Sequence, residues 1–356
     1  MAARGRTFQT ALTLAWLLLA WLAGSAVVTD AHAQQDTVAD FYRGKTITII
    51  AGASAGGGID LFARQLARQI TKHIPGNPQA VVTNLPGAGS KVAAKNIYAV
   101  AAKDGTVMGT VLPGALMEPI RIEAGKRDYD PLRFNYLGNG NAEALSTIVR
   151  TDSGIASLDD LFTKELIVGT PGGGSSVHET AMVSKNLLGT KIKIVTGYPG
   201  VKEVGLAMEK GEVQGILGLA FTTVRQFFPG YLTGAKGFKV IAQDNLAGHP
   251  ELNKAGIPLS VSRAKSPADR AALEFYQAQA VLVRAYIMPP GVQQERVNAM
   301  RKAFLDAINS RDFQEEVAKS NSEAIPQSGA EVEALIRKMY ASPPELVARV
   351  AAATQN

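Results

Sequence analysis

A serine in a glycine-rich turn is the residue of this sequence most easily given a chemical role. Residues 52–56 read GASAG and match G-x-S-x-G, the turn that presents a nucleophilic serine between a strand and a helix. An apolar, β-branched run precedes Ser54 and a helical pattern follows it, as that turn requires. One interpretation of the sequence is therefore a secreted serine hydrolase that uses Ser54.

The other groups that such chemistry needs are scarce. After residue 33 the sequence has three histidines, His73, His178 and His249, and Ser54 follows the first predicted strand rather than several strands. There is no H-E-x-x-H, no G-x-x-x-x-G-K-[ST] and no G-x-G-x-x-G after a strand, so we expect no metal and no cofactor. These observations favour a binding protein that is not an enzyme.

Glycines cluster where predicted strands end and predicted helices begin. The clusters occupy residues 52–58, 87–89, 172–174 and 197–200. A helix that begins at such a loop points unpaired N–H groups and its positive dipole end outward, which favours an anion. The alternative is that these glycines only make tight connections. Two such loops, one early and one in the middle of the chain, predict the opposing sides of one anion site.

Short β-branched runs alternate with longer amphipathic patterns, which is typical of an α/β fold with mostly parallel sheets. Strands are predicted at residues 46–50, 80–83, 106–111, 146–150, 166–170, 192–196, 213–217, 238–242 and 279–286. Helices are predicted at residues 58–74, 91–102, 177–188, 201–210, 267–277, 293–310 and 330–352. In an open α/β sheet the loops after the strands line a common crevice.

Length and composition exclude several classes of protein. The 356 residues are 46% apolar and 19% charged, which suits one large or two smaller globular domains. No cysteine is present, so disulfides, thiolate metal sites and cysteine nucleophiles are excluded. The net charge of +6 is scattered rather than clustered, and we expect an anionic small molecule rather than nucleic acid as the partner.

The first 33 residues have the features of an export signal. Arg4 and Arg6 precede an apolar stretch at residues 11–28, and an A-x-A site follows at residues 31–33. This order predicts a cleaved signal peptide, residues 1–33, and a periplasmic mature protein. The alternative is a retained membrane anchor, because the apolar stretch is almost long enough to span a bilayer.

With these residues in view, the chain after residue 33 resembles the substrate-binding receptors of tripartite tricarboxylate transporters, the Bug-type periplasmic receptors. The similarity runs in order through residues 41–50 (FYRGKTITII), 51–64 (AGASAGGGIDLFAR), 84–89 (NLPGAG), 103–106 (KDGT), 172–178 (GGGSSVH), 198–200 (YPG), 211–214 (GEVQ) and 288–291 (MPPG). Each piece is short, and their common order and spacing carry the resemblance.

The resemblance implies a type II periplasmic-binding fold, in which two α/β lobes close on a ligand about a hinge. The implied lobes are residues 34–144, to which residues 280–356 return, and residues 145–279. It also implies an organic carboxylate ligand held mainly by backbone N–H groups, and the membrane permease subunits of a transporter as partners. We expect a monomer. A receptor that reports its occupancy to a signalling partner remains an alternative, because both roles use the same closed conformation.

This sequence departs from the family's pattern at the loops. Residues 52–55 lack the family's aromatic residue and prolines, and Gly58 and Ile59 replace two hydroxyl residues. Charged residues of the family are replaced by Leu85, Pro199 and Gln214. Fewer donors suit a mono- or dicarboxylate with an apolar or aromatic body better than citrate. The expected ligand-binding residues are Ala53, Ser54, Ala55, Gly56, Gly57 and Asp60 in the first lobe, and Gly172, Gly173, Gly174, Ser175, Ser176, His178, Tyr198 and Gly200 in the second.

Capping is an equally good interpretation for two of these residues. Asp60 falls in the first turn of a predicted helix, where a carboxylate stabilises the helix whether or not it meets a ligand. His178 stands near the start of another predicted helix, where it is expected either to donate to an anion, or to face solvent or cap the helix.

Overall fold

The computed structural model describes residues 37–141, 144–172 and 175–355. The predicted signal peptide and the predicted ligand residues Gly173 and Gly174 lie outside this part of the chain. Within it, no helix has the length and apolar character needed to cross a bilayer.

The first sheet has six strands in the order β11-β4-β10-β3-β1-β2. They are β1 (Thr46–Ala51), β2 (Gln79–Asn84), β3 (Val107–Thr110), β4 (Asn135–Asn139), β10 (Ala285–Met288) and β11 (Gln327–Ser328). Strand β1 runs parallel to β2 and β3, whereas β10 runs antiparallel to β3 and β4, and β11 antiparallel to β4. The N-terminal half of the chain thus supplies the parallel side of this sheet.

The second sheet has five strands in the order β7-β6-β8-β5-β9. They are β5 (Leu145–Arg150), β6 (Leu166–Gly169), β7 (Ile192–Val195), β8 (Gly215–Ala220) and β9 (Phe238–Gln243). Strand β6 is parallel to β7 and β8, and β5 is antiparallel to β8 and β9. The expectation of mostly parallel sheets is therefore wrong, because β5 and β10 each enter a sheet against the direction of their neighbours.

Helices cover both faces of each sheet. They are α1 (Val38–Tyr42), α2 (Gly58–Ile70), α3 (Lys91–Ala99), α4 (Pro113–Met117), α5 (Ser176–Val183), α6 (Val201–Lys210), α7 (Phe221–Phe227), α8 (Pro250–Lys254), α9 (Pro267–Gln277), α10 (Gln294–Asn309), α11 (Arg311–Lys319), α12 (Gly329–Tyr340) and α13 (Pro344–Ala353). Alternate strand residues enter separate cores: Ile49 packs with α2 and α10, and Ile50 with α3 and α4. The second sheet divides in the same way, with Ile148 and Val149 in different cores.

Two of the predicted elements differ markedly from the structure. The helix expected over residues 330–352 is interrupted between Tyr340 and Pro344, because consecutive prolines lack N–H donors and clash with the preceding turn. The strand expected over residues 279–286 begins only at Ala285, and residues Ala278–Leu282 form a 3₁₀ helix instead. A buried apolar run is compatible with either geometry, and here the tight helical turn leads the chain back into the first sheet.

Candidate functional site

A cavity of about 180 Å³ lies where loops from both sheets meet. Its first side follows β1 and β3 and includes Gly52, Ser54, Gly58 and Leu112. Its second side includes Pro171 after β6, Tyr198 and Gly200 after β7, and Leu219 near the end of β8. Loops at the carboxyl ends of strands thus form the cavity, which is the usual ligand position in open α/β sheets.

The loop after β1 lies close against its neighbours. The N–H of Gly52 donates to the Thr110 carbonyl over 2.9 Å. A Cβ atom on Gly52 would lie 2.8 Å from Ser90 Cβ, so only glycine permits this approach. Asn84 Nδ2 donates to the Ala53 carbonyl over 3.0 Å. Backbone and amide contacts therefore hold this loop at the edge of the cavity.

Asp60 fixes the end of the same loop from beneath. Its buried carboxylate accepts hydrogen bonds from the Gly56 N–H over 2.7 Å, Asn84 Nδ2 over 2.8 Å and Arg64 Nε over 3.0 Å. Burial alone would raise the pKa of Asp60, but the bonds from Arg64, Gly56 and Asn84 outweigh it and hold the pKa below its ordinary value. Asp60 does not line the cavity, so its contacts are those of a residue that positions the loop.

The second side approaches the first within hydrogen-bond distance. Ser54 Oγ donates to Glu203 Oε2, in the first turn of α6, over 3.2 Å. A Cβ on Gly200 would overlap Ser54 Oγ and lie 3.0 Å from Glu203 Oε2. The absence of a side chain at Gly200 therefore lets the two sides close together.

Among the helices that begin at the cavity without a side-chain cap, α2 and α6 each follow a glycine. Gly57 precedes α2 and Gly200 precedes α6, and neither offers a side-chain oxygen to the first N–H groups of its helix. The first turn of a helix has no internal partners for those N–H groups. By contrast, Ser175 Oγ caps α5 by accepting from the His178 N–H over 3.1 Å. The donors of α2 and α6 therefore suit an anion in the cavity.

His178 is buried and does not reach the cavity. Its Nδ1 lies 3.0 Å from Thr170 Oγ1, and burial lowers its pKa, which favours the neutral ring. Ser54 and His178 thus have different partners, and among the hydrogen bonds of the described residues no histidine ring contacts Ser54. Among the described residues, the partner of the Ser54 hydroxyl is therefore the Glu203 carboxylate and not a histidine ring.

The structure separates the predicted site residues into two groups. The cavity is lined by Ala53, Ser54, Gly57, Ser176, Tyr198 and Gly200. It is not lined by Ala55, Gly56, Asp60, Gly172, Ser175 or His178, several of which support the residues that do line it. Gly56 donates to Asp60, and Ser175 caps α5.

Several residues that line the cavity are not among the expected ligand-binding residues. Residues 86–90 and Thr223 contribute wall, and Arg284 contributes the one charged side chain among the described lining residues. Arg284 is buried, donates through Nη2 to Thr222 Oγ1 over 3.1 Å and lies 5.5 Å from the centroid of the Phe62 ring. A single arginine within the apolar run of residues 280–287 was the available signal, because a charge is rarely buried without a specific role.

Comparison with solved structures identifies the fold. The periplasmic binding protein BugD is similar to this chain with a TM-score of 0.69 and 18% identity, over 88% of this chain and 98% of BugD. MatC from Rhodopseudomonas palustris, solved with bound malate, gives a TM-score of 0.65 and 17% identity, over 87% and 99%. A second R. palustris protein, solved with adipate, gives a TM-score of 0.65 and 19% identity, over 86% of this chain and 97% of that protein.

No family model and no curated protein matches the sequence. The similarity to known proteins therefore lies in the arrangement of the two sheets and their helices, which is shared over nearly the full length of those structures. The expected fold class is confirmed: this chain has the α/β fold of the periplasmic binding proteins.

Proposed function

We propose that this protein is a periplasmic solute-binding receptor that captures a small organic carboxylate and delivers it to the permease of a tripartite tricarboxylate-type transporter. The observation that carries the proposal is the convergence of α2 and α6, from different sheets, on one cavity, each beginning after a glycine without a side-chain cap. Solved proteins of the same fold hold malate and adipate, which supports a carboxylate ligand.

The positive ends of two helices are well suited to one carboxylate. The α2 helix has 13 residues and α6 has 10, so each carries a substantial dipole. Hydrogen bonds from N–H groups to an anion are shorter and stronger than bonds between neutral groups. Arg284 adds a guanidinium to the wall, which also favours a negative ligand. We propose that the ligand binds between two lobes, residues 34–144 with 280–356 and residues 145–279, and draws them together.

The cavity walls indicate the rest of the ligand. Apolar side chains such as Ile59, Leu112, Leu145, Val177 and Leu219 make up much of the lining. A cavity of about 150 Å³ holds a molecule the size of benzene, so a cavity of about 180 Å³ suits a short apolar body. The best candidates are therefore mono- and dicarboxylates with few other polar groups. Mass spectrometry of the ligand retained through native purification tests this class, and a retained sugar or cation would contradict it.

Ser54→Ala separates a receptor from a hydrolase. The variant loses the hydroxyl that bonds Glu203 across the cavity, so we expect about fivefold weaker carboxylate binding by calorimetry. A fluorophosphonate probe is expected to leave the wild-type protein unlabelled, since no histidine activates Ser54 among the described hydrogen bonds. Stoichiometric labelling of the wild type that disappears in Ser54→Ala would favour the secreted hydrolase instead.

Export predicts a defined N-terminus. If residues 1–33 are a signal peptide, the protein in the periplasmic fraction begins at Gln34 or within a few residues of it. Edman sequencing or intact-mass measurement of that fraction provides the check. Recovery of the full-length chain in the membrane fraction would show that the segment is retained as an anchor.

A further inference from the structure

A second depression adjoins the cavity on the side of α6 and α7. This apolar groove has a volume of about 260 Å³ and shares with the cavity Gly57, Gly58, Val201, Leu219 and Thr223. Its remaining lining consists of Lys202, Gly205, Leu206, Glu209, Phe227 and Phe228. One wall of residues thus faces the cavity on one side and the groove on the other.

Thr223 belongs to that wall and packs against Gly58. A Cβ on Gly58 would overlap Thr223 Oγ1 and lie 3.2 Å from Arg284 Nη2. The Thr223 side chain therefore packs directly against Gly58 between the cavity and the groove. A ligand chain that passes this point must displace the Thr223 side chain.

Gly205 keeps the groove open on the side of α6. A glycine within a helix costs about 0.5–1 kcal/mol relative to alanine. Packing does not require it here, because a Cβ on Gly205 would meet only Phe228 Cζ at 3.5 Å, an ordinary contact distance. Neither the backbone angles of Gly205 nor its neighbours require a glycine. What the glycine provides is therefore the empty volume of the groove beside α6.

The groove also exposes large apolar side chains. Leu206 is 46% and Phe227 38% exposed, and these two side chains give the groove an apolar surface next to water, whereas Phe228 is buried. Covering such surface with an apolar group is favourable by about 25 cal/mol per Å². Lys202 and Glu209 are the charged residues of the lining, and the other residues that line the groove are mostly apolar.

We propose that the apolar groove receives the distal part of a linear ligand whose carboxylate is held in the cavity. The inference rests on the proposed function and specifies its substrate class: carboxylates with an aliphatic chain too long for the cavity alone. The head is held by the helix ends, and the chain passes Gly58 and Thr223 into the groove. Contact with the groove then adds affinity in proportion to the chain length buried.

Binding of straight-chain monocarboxylates tests the proposal in the full mature protein. Dissociation constants for butyrate, hexanoate, octanoate and decanoate are measured by calorimetry. Each methylene that enters the groove is expected to tighten binding by up to about fourfold. In Gly205→Leu, whose side chain fills the groove, the gain from hexanoate to decanoate is expected to disappear while butyrate binds within about twofold of wild type.

Gly205→Ala is the matched control, since it gives a similar gain in helix propensity and fills little of the groove. It is expected to keep most of the dependence on chain length, and both variants are expected to melt at or above the wild-type temperature. Equal affinity for hexanoate and decanoate in the wild type, or an unchanged gain in Gly205→Leu, overturns the groove proposal and leaves carboxylate capture standing. Failure of every acid to bind the wild type contradicts both.

Discussion

Gly200→Val is expected to remove most ligand affinity from a protein that still folds. Gly200 has an extended backbone, with φ −166°, which valine adopts without strain. Its Cβ, however, would overlap Ser54 Oγ and approach Glu203 Oε2, so the two sides of the cavity cannot reach their present distance. The first N–H groups of α6 then lie too far from a carboxylate that α2 holds.

The expected loss of affinity is about a hundredfold or more, since hydrogen bonds to a charged group contribute roughly 1.5–3 kcal/mol each. Ligand at a hundred times its dissociation constant stabilises a native protein by about 2.7 kcal/mol, so the wild type shows a thermal shift that the variant lacks. The melting temperature without ligand is expected to stay near that of wild type. Small-angle scattering is expected to show compaction on ligand addition in the wild type alone.

Gly125→Val is the matched control, because a Cβ there meets nothing within 4 Å. It is expected to bind carboxylate as the wild type does. Adding Ser54→Gly to Gly200→Val removes the atom with which the new side chain collides, and partial recovery of affinity is expected. If Gly200→Val binds with unchanged affinity, the close approach of Ser54 and Gly200 is not part of ligand capture.

Asp60→Ala is expected to reduce stability by about 3 kcal/mol. The variant leaves the Gly56 N–H, Asn84 Nδ2 and Arg64 Nε without the buried carboxylate that accepts from all three. Chemical denaturation measures the change in the free energy of unfolding. Asp306→Ala, which removes an exposed i,i+4 partner of Lys302, serves as the control and is expected to cost less than about 0.5 kcal/mol.

The pH dependence of this effect has a defined sign. Because the pKa of Asp60 is lower in the folded protein, its contribution is fully present above the unfolded value of about 4 and is lost as pH falls through the folded pKa. The difference in stability between wild type and Asp60→Ala is therefore expected to be constant near neutral pH and to shrink below about pH 4. A difference that persists unchanged at low pH would show that the carboxylate's charge is not what stabilises the loop.

Local signals in the sequence determined the elements whose ends are marked by particular residues. Helix α6 ends before Gly211, which adopts φ +80°, and α9 begins with the Ser266 cap and Pro267, so both predicted helices are confirmed at their observed bounds. The glycine clusters after β1 and β7 were visible for the same reason, since glycine marks positions where backbone must turn or approach closely. These features are properties of short segments, and a single sequence reports them directly.

Contacts between distant segments decided the rest. Strand β4 was not predicted because its sequence, NYLGN, is polar at both ends, yet Asn139 is buried there and accepts a hydrogen bond from the Arg284 N–H over 3.0 Å. A buried polar side chain is tolerated only where a partner is provided, and that partner is Arg284, which immediately precedes β10 and lies far along the chain.

Contacts between distant segments also decided the candidate site. Ser54 was predicted to contribute a hydroxyl, but the sequence could not indicate that Glu203 would accept its hydrogen bond. Asp60 was predicted near the ligand, and only the folded chain gave it Asn84 and Arg64 as partners below the loop. Arg284 reached the cavity because β10 returns to the first sheet between β3 and β4. Residue types and local spacing thus determined which side chains and backbone groups were available to a site. The pairing of strands decided which of these groups come into contact, because hydrogen bonds and burial act between residues that are neighbours in space.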